Sequence, residues 1–233
     1  MKISAMQTLT LIDYPGQVAA TVFTFGCSFR CHFCHNPELV LPSQKVKTLS
    51  EKDILEFLEK RKDFLDGLCI TGGEPTIWKD LPEFIKKVKK KKLKVKLDTN
   101  GTNPEMLKDL IEKKLIDYVA MDIKAPWDKY ENIVGKKIDI KKIKKSAKLL
   151  LDGKLDYEFR STILPRLHPV KDIIQMAEQI KGAHKYYLQQ FKPFAKMVNK
   201  EYINEKPYRQ ADLKKICIKI KPMFKKCEVR ENV

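Results

Sequence analysis

Strand-like and helix-like segments alternate along almost all of this chain, and that alternation restricts its fold more than any other feature. The short apolar or β-branched runs are Ala19 to Phe25, Leu68 to Thr71, Leu93 to Asp98, Tyr118 to Ile123, Tyr157 to Leu164 and Lys185 to Phe191. Amphipathic, lysine-rich stretches separate them. Ser50, with Asp53 three residues on, reads as the N-cap of a helix reaching about Phe64. Further helices are expected over Asp80 to Lys91, where Leu81, Phe84, Ile85 and Val88 fall at core spacing, and over Pro104 to Lys114, Asp139 to Leu151 and Val170 to Lys181. A last helix is expected over Gln210 to Phe224, with a short strand at Cys227 to Arg230. Six strand–helix units imply a parallel sheet with helices outside it. They are too few for a complete eight-unit barrel, so the expected fold is α/β, an open, partial (β/α)6 barrel of the TIM type. No linker or internal repeat divides the 233 residues. A single domain is therefore expected over 1–233, with a core at about 17–191 and a helical extension at about 207–233.

Composition narrows the function classes. There are 47 Lys plus Arg against 30 Asp plus Glu, a net charge of +17, which invites a nucleic-acid partner. Only six of those cations are arginine, the residue suited to bidentate reading of bases and phosphates. A lysine-biased solvated surface is the better reading, and nucleic acid is not expected as a partner. No apolar run approaches the roughly 20 residues of a membrane span. The start, MKISAMQTLTLIDYPG, lacks the apolar core and cleavage site of a signal peptide, so the expected location is cytoplasmic. Six cysteines there read as metal ligands, catalytic thiols or core residues rather than disulfides.

In parallel α/β folds the chemistry gathers at the C-terminal ends of the strands. The least generic residues sit at those ends: Gly26-Cys27, Gly72-Gly73-Glu74, Asp98-Thr99-Asn100 and Asp122-Ile123-Lys124. Cys27, Cys31 and Cys34 form C-x3-C-x2-C in a segment, GCSFRCHFCHNP, that is neither strand-like nor apolar. Three thiolates on one loop can face one metal centre. Zinc would complete its set with His32 or His35. A [4Fe–4S] cluster held by three cysteines would instead leave one iron open to a small molecule, which the other strand ends would hold. Two glycines at 72 and 73 allow close approach of backbone to a ligand, and Glu74 can accept hydrogen bonds from an ammonium group; a plain tight turn is the alternative. Asp98, Thr99 and Asp122 offer hard oxygens for a monovalent or divalent cation, against an ordinary turn with a structural Asp–Lys contact. Arg160 pairs either with a ligand carboxylate or with Asp122 or Glu158. Cys69 reads as core, Cys217 and Cys227 as incidental, and His168 and His184 receive no role.

The spacing C-x3-C-x-Φ-C, with Phe33 as the aromatic Φ, directly after the first strand of a βα repeat, resembles the signature of radical S-adenosylmethionine (SAM) enzymes. With Ile12-Asp13-Tyr14-Pro15-Gly16 and GCSFRCHFCHNPEL, the chain from about Leu11 to Phe191 resembles the glycyl-radical-enzyme activases. Within them it is similar to the activating proteins of anaerobic ribonucleoside-triphosphate reductase. The resemblance implies that Cys27, Cys31 and Cys34 bind three irons of a [4Fe–4S] cluster and that SAM chelates the fourth. It places Phe33 near the adenine, Gly72, Gly73 and Glu74 at the SAM amino group, and Asp98, Thr99, Asn100 and Asp122 around the SAM carboxylate and a cation. Lys124 and Arg160 would contact that carboxylate, and Gln190 would stand where some activases place a histidine. The implied activity is reductive cleavage of SAM and abstraction of a glycine hydrogen on a partner enzyme. Only about thirteen residues, none of them Cys, separate Asn36 from Ser50, so no ferredoxin-like insertion is present there. Electrons are then expected from an external low-potential donor such as flavodoxin or ferredoxin. The rival readings are a small radical SAM enzyme modifying a nucleotide or RNA base, and a zinc-binding nucleic-acid module.

Overall fold

A computed structural model describes residues 1–41, 47–193 and 196–230. The elements run β1 (Ile3–Thr10), β2 (Ala19–Thr24), α1 (Pro37–Val40), α2 (Glu51–Arg61), β3 (Gly67–Gly72), α3 (Leu81–Lys89), β4 (Lys94–Thr99) and α4 (Pro104–Glu112). They continue with β5 (Tyr118–Asp122), α5 (Tyr130–Val134), α6 (Ile140–Leu151), β6 (Asp156–Ile163), α7 (Val170–Gln179), β7 (Lys185–Gln190), α8 (Gln210–Ile220) and β8 (Lys226–Arg230). The eight strands form one sheet in sequence order. β1 is antiparallel to β2, and every later neighbour is parallel. Three helices, α2, α4 and α6, begin at side-chain caps: Ser50 accepts from the Asp53 amide at 3.0 Å, Asn103 from Met106 and Asp139 from Lys141.

One strand lies beyond the expected set. β1 was not anticipated, because its solvent-exposed positions break the apolar run that marks a buried strand. The expected C-terminal helix and short strand are α8 and β8, and β8 joins the sheet as its seventh parallel strand; residues 231–233 of the expected extension lie outside the described residues.

The sheet curls. A flat sheet would hold β2 and β7 apart by five spacings of about 4.8 Å. Yet the ring of His35, in the loop after β2, lies 5.7 Å from that of Phe191, just beyond β7. The two faces differ sharply. Val22, Ile70, Leu97, Val119, Phe159 and Leu188 point outward into one hydrophobic cluster with Leu58, Phe84, Leu107, Leu150 and Ile173 of the helices. The inward face carries many polar residues: Thr21, Cys69, Lys96, Asp98, Asp122, Glu158, Arg160 and Gln189. Cys69 is indeed buried, but in this polar interior beside Lys96 and Asp98 rather than in the apolar core. Cys217 and Cys227, expected to be incidental, meet between α8 and β8 with their sulfurs 3.3 Å apart.

β8 closes the polar interior. The Arg230 guanidinium donates to both oxygens of Glu158 at 2.6 and 2.8 Å and lies 3.5 Å from the centre of the Tyr187 ring. Glu158 is fully buried and also accepts from Tyr118. Removing one partner of such a pair strands a buried charge. Arg230→Ala should lower the unfolding free energy in urea by about 3 kcal/mol. Arg230→Lys should recover less than half, since an ammonium cannot make both bonds in parallel. An alanine variant as stable as the parent would show that Glu158 does not depend on β8.

Candidate functional site

The C-terminal ends of β2 to β6 surround a cavity of about 240 Å³. All the residues expected to hold the cluster or SAM line it except Gln190. Cys27, Cys31, Phe33 and Cys34 come from the loop after β2, and Gly72, Gly73 and Glu74 from the end of β3. β4 brings Asp98, Thr99 and Asn100, β5 brings Asp122 and Lys124, and β6 brings Arg160 and Thr162.

The cysteine loop is closed on itself and docked on three sides. Gly26 N donates to Leu39 O at 2.8 Å, joining its two ends. Arg30 N donates to Val134 O, and the His32 ring lies 3.0 Å from Asn132 O, fastening the loop to α5. On the far side Val198 N donates to Cys34 O and Asn199 N to His32 O. Tyr202 stacks on His32 with ring centres 5.7 Å apart. The segment around 198–202, which the sequence reading passed over, is thus part of the loop's support; its Asn and Tyr carry no motif that could have signalled this. Burial pushes the thiols up, Cys27 to about 11 and Cys31 to about 12, while the Lys124 charge pulls both down. His32 does not line the cavity, and no three Cys, His, Asp or Glu side chains among the described residues stand close enough to hold a metal ion unaided. A preformed zinc set is therefore not what the loop presents.

Gly72 and Gly73 line the cavity and also serve the packing of the strand ends. Gly73 N donates to Thr24 O and Glu74 N to Gly26 O, both at 2.8 Å. A Cβ on Gly73 would fall 1.9 Å from Gly26 O, and one on Gly72, whose φ is +116°, 2.3 Å from Thr24 N. The glycines bring the end of β3 against the start of the cysteine loop. Glu74 is likewise engaged within the protein. Oε1 accepts from Thr76 N, Thr76 Oγ1 and Thr99 Oγ1, and Oε2 from Asn100 N at 2.6 Å. Burial raises its pKa, and these four donors oppose the rise. Asn100 carries the linkage on, its Nδ2 donating to Ser28 Oγ at 3.0 Å. Gly73→Ala must therefore push two strand ends apart. It should cost about 2–3 kcal/mol in thermal or urea unfolding, whereas a loss under about 0.5 kcal/mol would refute the close-approach role.

Both aspartates are paired with side-chain cations. Asp98 pairs with Lys96 and, at 3.0 Å, with Arg160. Asp122 accepts from Arg160 Nε at 2.6 Å and from Lys124 Nζ at 2.9 Å. Carboxylates brought together across adjacent strands are neutralised here by the lysines and arginine between them. Arg160 has Asp122 and Asp98 as its partners and not Glu158, which Arg230 takes. Burial alone would raise Asp122, but Arg160 and then Lys124 outweigh it and bring it from its ordinary 3.8 to about 2. Its ionised form therefore adds stability that is complete above about pH 4 and lost as the pH falls through about 2. Asp122→Asn should remove about 2 kcal/mol of the decline in unfolding free energy between pH 5 and pH 2. An unchanged decline would place the acid sensitivity elsewhere.

Gln190 is the one misplaced residue. It registers with Ile163 on the helix-facing side of the sheet, and its amide donates to Tyr208 O at 2.9 Å. The period of two along β7 puts Gln189 inside instead, opposite Thr162 of the cavity wall. Counting by twos from Arg160 across the register would have found it. His168 and His184 also have partners: His184 stacks on Tyr157, and His168 is buried against Phe33 and Lys124 O.

Residues 21–180 match the Radical SAM superfamily, and the chain belongs to that family. A Methanocaldococcus jannaschii protein with the provisional name glycyl-radical enzyme activating enzyme is 38% identical over 82% of this chain and 80% of its own length. The pyruvate formate-lyase-activating enzyme of Listeria monocytogenes is 31% identical over 53% of each chain. Among solved structures, Streptococcus suis SuiB bound to S-adenosylmethionine has a TM-score of 0.68 at 16% identity; the match covers 89% of this chain and about half, 51%, of that one. A domain of the pyruvate-formate lyase-activating enzyme from Bacteroides vulgatus gives 0.56 at 14% identity, over 70% and 98%. These two show the shared fold.

Family membership makes a [4Fe–4S] cluster and SAM the cofactors of this chain. The donor chemistry of the cavity fits them. Three thiols supply soft ligands on one wall, and carboxylates, amides and a lysine face them from the other strand ends. No helix among the described residues is long and apolar enough to cross a membrane.

Proposed function

We propose that this protein is an activase that installs a glycyl radical on a partner enzyme, the partner being an anaerobic ribonucleoside-triphosphate reductase. The observation that carries the reading is the 38% identity, over four-fifths of both chains, to a protein named as a glycyl-radical enzyme activating enzyme. The reductase as partner rests on the resemblance of Ile12 to Gly16 and of the stretch around Cys27 to that branch of the activases. The whole chain, 1–233, acts as one domain in the cytoplasm, and electrons come from an external flavodoxin or ferredoxin.

The cofactors, when bound and reduced, supply a 5′-deoxyadenosyl radical from SAM, and the chain supplies placement and shielding. Cys27, Cys31 and Cys34 hold the cluster as thiolates, giving up their protons on binding. Phe33, buried behind them, keeps water from that wall and seats the adenine. Glu74 fixes the strand ends beneath the SAM amino group through Thr99 and Asn100. Lys124 meets the SAM carboxylate while remaining tied to Asp122. Two aspartates and three cations leave one positive charge in the cluster of pairs, which suits an anionic ligand group. Arg160 holds the two aspartates apart as a structural bridge. The open side of the curled sheet admits the glycine-bearing loop of the partner.

Anaerobic reconstitution with iron and sulfide should load roughly four iron atoms per chain. Reduction in the presence of SAM should release 5′-deoxyadenosine, and adding the reductase should produce a glycyl EPR signal. Cys31→Ala should lose all three. Absence of 5′-deoxyadenosine from the loaded parent would overturn the reading. Strong RNA binding at physiological salt without a glycyl signal would favour modification of a nucleotide or RNA base, which the charge of +17 supports. A colourless protein with one zinc would favour the zinc module.

A further inference from the structure

Of the four histidines in the chain, His168 lies in the loop after β6 and is fully buried. Its ring uses both nitrogens. Nδ1 accepts from Leu164 N at 3.2 Å, so the proton is on Nε2, which donates to the carbonyl of Lys124 at 2.8 Å. The ring also meets Phe33 edge to face, with centres 5.9 Å apart at 82°. Lys124 and Phe33 are both walls of the cavity, contributed by the loops after β5 and β2. Burying an imidazole costs desolvation that an apolar side chain of similar size would avoid. A ring retained there therefore needs a use for its polar atoms.

The peptide flanking Lys124 is gripped from both ends. His168 holds its carbonyl, and Tyr130 Oη accepts from its amide at 3.0 Å. With the backbone held, the ammonium reaches Asp122 in a single direction. A second staple, the Lys129–Asp172 ion pair at 2.7 Å, joins the β5 loop to the start of α7 away from the cavity. Docking of the loops thus does not depend on His168 alone.

We propose that His168 is a positioning residue for SAM, setting the Lys124 carbonyl and the Phe33 ring so that the cavity accepts the cofactor without rearrangement. The inference rests on the radical SAM reading of the site and adds a residue to it. Because His168 touches the wall and not the cofactor, its effect falls on SAM affinity.

Two substitutions separate its two bonds. His168→Gln keeps a donor for Lys124 O and gives up the acceptor for Leu164 N. His168→Asn keeps the acceptor and gives up the bond to Lys124. SAM binding is measured by anaerobic equilibrium dialysis on iron-loaded protein, with iron and sulfide determined for each sample. His168→Asn should weaken SAM about ten-fold and His168→Gln by less than about three-fold, with similar thermal midpoints for the two. Tyr130→Phe, which frees the other end of the same residue, should weaken SAM in the same direction, and it decides the matter should His168→Asn fail to load iron. Equal weakening in both His168 variants would reduce the histidine to a structural role and overturn the proposal. So would unchanged affinity in His168→Asn, or in Tyr130→Phe where that variant decides. A loaded parent that binds no SAM would overturn the radical SAM reading itself, a different result from a parent that binds and variants that do not differ.

Discussion

The upper rim of this sheet depends on one buried chain of charges, Lys96–Asp98–Arg160–Asp122–Lys124, running across the ends of β4, β5 and β6. Each carboxylate is held by two cations, and Arg160 is shared between them. A shared guanidinium has fixed geometry, so it sets the separation of two strand ends as well as neutralising them. Isolated, any of these groups would be costly to bury; together they make a polar interior possible in a fold whose barrel relatives fill that space with branched apolar side chains. The cavity above the rim inherits its shape from this arrangement.

The cysteine loop is placed by contacts rather than by its own conformation. β3 presses two glycines against its start, α5 holds its middle, and the segment around 198–202 holds its far side. Glu74 and Asn100 then link that loop to the ends of β3 and β4. Groups expected to face a ligand thus spend much of their bonding on one another. Preorganisation of this kind lets a site bind without first paying to order its walls.

Much of this was legible in the chain. Seven of the strands and the main helices follow from alternating apolar periods and caps such as Ser50, because helix and strand bury a face at different spacings. The cysteines, Gly72-Gly73-Glu74 and the aspartate ends declared themselves by breaking those periods. β1 did not, being a partly exposed edge strand with no continuous apolar run. Gln190 was misread because a strand end looks alike on both faces until its register with β6 is known.

By itself, then, the sequence determined the βα alternation, the cysteine loop and the membership of a radical SAM family, since each is written in local spacing and residue type. Tertiary structure alone decided how those residues are employed. It paired the aspartates with Lys96, Arg160 and Lys124, put Gln189 rather than Gln190 inside, and joined His168 to Lys124. The reason is physical: pairing of buried charges and strand register depend on residues dozens of positions apart, and only the closed sheet brings them within hydrogen-bonding distance.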